Sequence, residues 1–389
     1  MKYRVTCITP TLVGDGRKLA PIDYMVWRDQ VNVLDQNRIF RLLAKGPRLE
    51  GYLTQLKKAD KLDFASWGGF AQNYSERRIP FEHASATQYW TRANALDLFI
   101  PTFATGPRGA YLPATAIKGA VRTGVIHAKA SEDLLKQAAS RATADGRAIR
   151  HATQSLEDSA LGAGGSDEMR LLAAADSQPV DVNAFKIYLL RVSTLESRGQ
   201  GKFELAWKSS PRGTVRRAED STPIFAEMAV AGTVFEGEWR ENEFLRRPEV
   251  AKTLRRRERL DRSSLFGYIN SYAADLIRLH RQYAEWTGLA SLRANLDELA
   301  ARLESIRGSG AACLLPLGWG GGFLSKTAFS NTQDTAYRDI LKQLPFYARA
   351  IQSGLPFPKT RKILFLENQP AAIPGFVQLE IGEPASEGK

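Results

Sequence analysis

The residues with the clearest chemical potential lie late in the chain, in the stretch LGWGGGFLSKT at 317–327. Gly318, Gly320, Gly321 and Gly322 surround Trp319, and Lys326 follows. Glycines let a backbone approach a large ligand and reach positive φ without strain. The N–H groups exposed in that way form an anion-binding concavity. Trp319 offers a flat face for a base or sugar, and Lys326 a charge for a phosphate. The same glycines also suit a hairpin or bulge between buried segments, with Trp319 packed in the core. A second stretch, YLPATAIKGAVRTGVIHAKA, carries Thr115, Lys118, Gly119 and Arg122. Pro113 and Thr115 are helix-start signals, and free N–H groups with the helix dipole favour phosphate at such a start. Lys118 and Arg122 lie one turn apart, on a different stripe from Ile117, Val121, Val125 and Ile126. Near the front, Gly14 and Gly16 flank Asp15 in a loop that exposes Arg17 and Lys18.

Other chemistries have less to stand on. His83, His127, His151 and His280 are scattered, and neither Cys7 nor Cys313 joins them at ligand spacing. No metal site or cofactor is predicted. The late loop ends in Lys-Thr, but its spacing is not that of a GxxxxGK[ST] phosphate loop, and no βαβ unit surrounds it for a dinucleotide. Asp15 and Asp23 could assist a metal, yet a turn cap for Asp15 and a strand start for Asp23 explain them better. Each histidine reads better as a packed or surface residue than as a general base; for metal-free RNA cleavage, His127 on the middle helix is the one candidate kept. Between residues 246 and 262, Lys252, Arg255, Arg256 and Arg259 recur at helical spacing, predicting a cationic face that could dock an acidic protein partner.

The totals narrow the partner. Lys and Arg outnumber Asp and Glu by 54 to 42, a formal net charge of +12 with a pI near 9.6. Such an excess favours an anionic partner, most commonly nucleic acid. Hydrophobic residues at 43% and charged residues at 25% describe a soluble globular protein. No apolar run reaches the roughly 18 residues of a membrane helix. The opening MKYRVTCITP alternates like a strand, unlike a secretory signal, and two isolated cysteines suit a reduced cytosol. A cytoplasmic location is expected.

At 389 residues, two domains are the natural expectation. Tyr3, Val5 and Cys7 predict one face of a first strand, and a hairpin turns near Arg28-Asp29-Gln30. Asp35 caps a helix, and Pro47 opens another. Residues 140–178 read as a loop or insertion of low order. AFKIYLLRVSTL and GKFELAWKSS read as strands, and PIFAEMAVAGTVFEGEWR as a strand pair turning at Ala231-Gly232. A helical region spans 264–307 with a break near Thr287-Gly288, its aromatics belonging to the core. Strands, helices and strands in each half make the class α+β. The polar stretch SSPRGTVRRAEDST places the boundary near 215, giving domains 1–215 and 216–389.

Taken in order, the motifs resemble the RAMP superfamily of CRISPR proteins. The similarity rests on the first strand with its TP-x-x-x-G-x-G loop, the DY-then-hairpin, LPATAIKGAVR and LGWGGGFLSKT. The two ends, PTLVGDG…APIDYMVW…NVLD and FPKTRKILFLENQ…PGFVQLEI, are most similar to the type III-A (Csm) effector subunits that cap the 3′ end of the guide RNA. That resemblance implies two ferredoxin-like (RRM-type) domains with helical and loop insertions. It implies a non-catalytic role in binding single-stranded crRNA, meeting target RNA only indirectly. The neighbours it implies are the repeated backbone RAMP subunit and the small helical subunit, with no membrane partner. Carried over by position, the RNA path is lined by Thr115, Lys118, Gly119 and Arg122, and by Gly318 through Gly322 with Lys326. Asp23 sits where the related backbone subunit keeps a target-cleaving aspartate, in a different context. A precursor-processing endoribonuclease and a pure protein adaptor are the alternatives.

Overall fold

The computed structural model describes residues 1–58, 73–141, 146–199, 202–256, 260–308 and 310–382. Two antiparallel sheets form the frame. In the first, the strands stand in the order Ala312–Pro316, Phe376–Gly382, Lys2–Cys7, Val234–Glu241, Leu172–Ala174. Every neighbouring pair is antiparallel. Without the Ala312–Pro316 edge, the chain visits strand Lys2–Cys7, helix Ala114–Lys129, strands Leu172–Ala174 and Val234–Glu241, helix Arg262–Thr287 and strand Phe376–Gly382. Their spatial order is fourth, first, third, second, the arrangement of a ferredoxin-like β-α-β-β-α-β unit. Lys2–Cys7 alternates as expected and buries Tyr3, Val5 and Cys7. They share a core with Ile117, Val121 and Val125, which helical spacing brings to one face.

The second sheet is built on the long strand Phe185–Ser197. One side of it pairs with Ile224–Ala229 and then Phe203–Ser209, the other with Thr360–Leu366. Helix Arg262–Thr287 ties the two layers together. Leu265, Phe266 and Ile269 belong to the first core, whereas Tyr272, Leu276 and Ala284 pack with Ile187, Trp207 and Phe365 of the second. Asp261 caps its start by accepting from the Ser264 N–H at 2.8 Å. Gly288 ends it at φ 66°, the left-handed turn expected there.

Several expectations are corrected. Both sheets take strands from either side of residue 215, so a sequential division at 215/216 cuts through each. Pairing is the reason: Lys2–Cys7 is completed by Val234–Glu241 and Phe376–Gly382, far along the chain. Ile224–Ala229 and Val234–Glu241 are not a hairpin either. Residues 230–233 carry the chain from the second sheet to the first. The supposed loop at 140–178 contains helix Gly146–Leu161, which packs beside Glu132–Arg141. Its buried Ala152, Leu156 and Ala160 recur every fourth residue, but the small alanines make a faint apolar stripe.

A smaller lobe stands on this frame. It holds the hairpin Tyr24–Trp27 and Gln30–Leu34, strand Ser75–Pro80, and helices Gln36–Leu43 and Leu49–Lys58. Arg28 and Asp29, at φ 48° and 57°, make the hairpin turn at the expected place. Met25, Leu34, Ile39, Leu43 and Tyr52 form its own core. Arg77 pairs with the buried Glu227 and so fastens the lobe to the second sheet.

Candidate nucleic-acid interface

A cleft of about 620 Å³ opens where three distant segments meet. The loop from Leu12 to Lys18 forms one wall, and Pro316 to Trp319 with Ser325 and Lys326 another. The first turns of helix Ala114–Lys129 supply the floor through Thr115, Ala116, Gly119, Ala120 and Thr123. These are small residues on one helical stripe, so the floor is smooth and close to the backbone. The cleft therefore gathers Arg17, Thr115, Gly119, Gly318, Trp319 and Lys326 from the expected set. It also recruits Gly14 and Lys18 from the same front loop as Arg17, and Thr102.

The glycines do more for the walls than for the opening. Trp319 donates its N–H to the Leu12 carbonyl at 2.7 Å, and Leu317 donates to that of Gly375 at 2.7 Å. Gly318 holds φ 83°, and a Cβ there would collide with the Leu12 carbonyl. Gly320 holds φ 102°, where a Cβ would come within 2.6 Å of the Pro374 ring. Both positions exist to let one chain segment lie against another, so for them the bulge reading is the right one. Gly321 is half-buried against Ser325, whereas Gly322, at φ 74°, is open. Trp319 is half-buried, and the Lys362 ammonium lies 4.6 Å from its ring centre. That cation occupies one face of the indole. The sequence carries no local sign of this Lys362 contact, because its strand reads as a plain β segment.

The cations divide. Lys326 is open to solvent at the rim, but protein around its amine pulls the pKa below the ordinary lysine value through desolvation. Burial lowers the Lys362 amine in the same way. Arg17 is exposed and pairs with Asp15 at 3.4 Å. Arg122 is not at the cleft. It donates to Asp167 at 3.0 Å and Glu157 at 2.9 Å, carboxylates brought in by the stretch expected as a loop or insertion of low order. Lys118, one turn earlier, lies outside the lining as well. The helix start is also less free than its sequence suggested, because the Ala114 N–H donates to Asp176 at 2.8 Å.

The remaining candidates are accounted for by packing. His127 lies against Tyr272, with Nδ1 2.7 Å from the Ala328 carbonyl and Nε2 3.4 Å from Asp275. It does not line the cleft. Asp15 accepts from the Arg17 N–H at 3.0 Å, and Asp23 from the Ala20 N–H at 2.7 Å, both as turn caps. The predicted cationic helix over 246–262 is broken. Helix Pro248–Thr253 is followed by Arg255 at φ 51°, and Arg256 turns in to the Leu245 and Gly165 carbonyls. Arg259 lies outside the described residues. Among the described residues, no three His, Cys, Asp or Glu side chains gather as metal ligands, and no helix is long and apolar enough to cross a membrane.

The architecture has known counterparts. A family model described as the RAMP superfamily matches residues 4–325. The chain belongs to the RAMP superfamily. The match takes in the front loop and the helix floor of the RAMP protein's cleft and its late wall as far as Ser325, one residue short of Lys326. The fold is similar to that of a chain in the cryo-EM structure of a Csm-crRNA-target RNA ternary complex from a type III-A CRISPR-Cas system. There the TM-score is 0.65 and the identity 20%, covering 98% of this chain and 100% of that one. The crystal structure of T. onnurineus Csm5 is similar with a TM-score of 0.59 and 16% identity, covering 97% of this chain and 100% of the other. At such identities the likeness speaks for the fold. Comparison with curated proteins gave no match.

Proposed function

We propose that this RAMP protein is a non-catalytic crRNA-binding subunit of a type III-A CRISPR effector complex. It seats the 3′ region of the guide in the cleft and caps the backbone filament, contributing to crRNA maturation and antiviral defence. The observation that carries this reading is the convergence of the Leu12–Lys18 loop, the Thr115–Thr123 floor and the wall of Pro316 to Trp319 with Ser325 and Lys326 on one opening. A smooth floor with cations at the rim contacts a sugar–phosphate strand without reading its bases. That suits a subunit whose specificity is delegated to guide pairing. The likeness to a chain of a Csm-crRNA-target RNA complex supports the same role, with the backbone RAMP subunit and the small helical subunit as neighbours. Against the endoribonuclease alternative stands the place of His127 outside the cleft lining, with Nδ1 at the Ala328 carbonyl and Nε2 beside Asp275. The adaptor alternative loses the continuous cationic helix it needed.

The test is binding of single-stranded RNA of unrelated sequences to the purified chain across a salt series. Affinities should agree within a few-fold and fall steeply with salt. Flat salt dependence, or one strongly preferred sequence, would reject the reading.

A further inference from the structure

The small lobe carries a feature that the cleft does not explain. Residues 36–58 contain six Lys or Arg (Arg38, Arg41, Lys45, Arg48, Lys57 and Lys58) against the single acid Glu50. All six are exposed. Elsewhere on the surface, arginines are commonly held by carboxylates, as in Arg4 with Glu236, Arg216 with Glu204, and Arg281 with Asp297. Among the described residues, no carboxylate pairs with any of the lobe's six. Arg38, Arg41, Lys45 and Arg48 follow one another at spacings of three or four, along helix Gln36–Leu43 and the turn after it. Phe40 and Leu42, each about half exposed at 48% and 49%, stand among them.

We propose that this face is a second RNA-binding surface, one that grips the phosphates of a single strand while Phe40 stacks on a base. Arg38 lies over the Tyr74 ring, its guanidinium 5.2 Å from the ring centre, and crowded cations without a carboxylate among the described residues repel one another, a repulsion that an incoming polyanion relieves. Cations spaced three or four residues apart along a helix and the turn after it suit a repeating phosphate backbone. An exposed aromatic ring among cations is the pattern by which single strands are held without sequence preference. The surface belongs to a lobe with its own core, so it stands independently of the cleft and extends the length of strand that the chain can hold.

The test uses the full-length chain and an unstructured oligouridylate, comparing wild type with Arg41→Glu/Lys45→Glu/Arg48→Glu, Phe40→Ala and the cleft variant Lys326→Glu. The triple variant should bind at least tenfold more weakly, with a salt slope shallower by about 2, from roughly 0.7 per lost contact. Phe40→Ala should lose a few-fold with an unchanged slope. Lysine acetylation of the wild-type protein, with and without the oligomer, gives a readout that needs no variant, and Lys45, Lys57 and Lys58 should be protected. Unchanged affinity, slope and acetylation would overturn the proposal. So would loss of a neighbouring protein subunit from the triple variant with RNA binding intact, which would mark an acidic protein as the partner. If Lys326→Glu weakens binding and the triple variant does not, the cleft stands and the lobe surface falls.

Discussion

The cleft and the small lobe present cations in opposite ways. At the cleft, few charges sit on a rim whose shape is fixed by backbone contacts such as Trp319 N–H to the Leu12 carbonyl. On the lobe, many charges stand on two short helices and the turn that joins them, with Glu50 the single acid between residues 36 and 58. A fixed shape holds a strand in a defined path, whereas an unpaired charge row adds affinity that salt removes. The difference teaches that net charge alone locates neither surface; what matters is which cations lack partners and what geometry lies between them.

The sharpest way to break the comparison is to deform the cleft wall. Gly318→Ala places a Cβ at φ 83° against the Leu12 carbonyl. A left-handed cost of about 1–2 kcal/mol and an overpacking cost of about 1–3 kcal/mol should appear together in urea unfolding. A loss under 1 kcal/mol would show that the wall is soft. Next in size is Lys18→Glu with Lys326→Glu. RNA affinity should fall at least tenfold at low salt, with the salt slope shallower by about 1.4, while the unfolding midpoint stays put.

Arg122→Ala sharpens the contrast between the two stripes of helix Ala114–Lys129. Losing its contacts with Glu157 and Asp167 should cost about 1 kcal/mol in unfolding, with RNA affinity unchanged. A drop in affinity instead would return Arg122 to the RNA path. Gly119→Ala should move the two properties in opposite directions. A Cβ there meets nothing within 4 Å, so helix propensity should raise stability by about 0.5–1 kcal/mol. The methyl group would still stand on the cleft floor and weaken RNA binding a few-fold.

The smallest effect is one of pH. The Lys326 amine is charged below its pKa, which desolvation holds under the ordinary lysine value. RNA binding should therefore weaken at a lower alkaline pH than an ordinary lysine would give, and Lys326→Arg should remove that early loss. Folding stability runs the other way. Between the lowered folded value and the ordinary unfolded one, the unfolded chain binds more protons, so stability rises with pH.

Much of the frame was legible in the sequence. Alternation in Lys2–Cys7, the turn at Arg28-Asp29, the Asp35 cap and the break at Gly288 are local signals, and each held. The cleft was legible in part, because glycines and small residues mark close backbone approach whatever they approach. What they approach is a long-range matter: Gly318 answers to Leu12 and Gly320 to Pro374, neither of which a window of sequence contains. The position of Arg122 away from the cleft was hidden for the same reason. Its carboxylates arrive from Glu157 and Asp167, on a segment whose alanine-rich helix gave little apolar contrast. The division into sheets was hidden too, since strands separated by more than two hundred residues complete one another.

The most direct measurement is photo-crosslinking of thiouridine-substituted single-stranded RNA to the full-length chain, followed by mapping of the linked peptides. The account predicts crosslinks on peptides containing Gly14 to Lys18, Thr115 to Thr123 and Trp319 to Lys326, all competed away by salt. Crosslinks confined to other surfaces, with those three segments unlabelled, would contradict it.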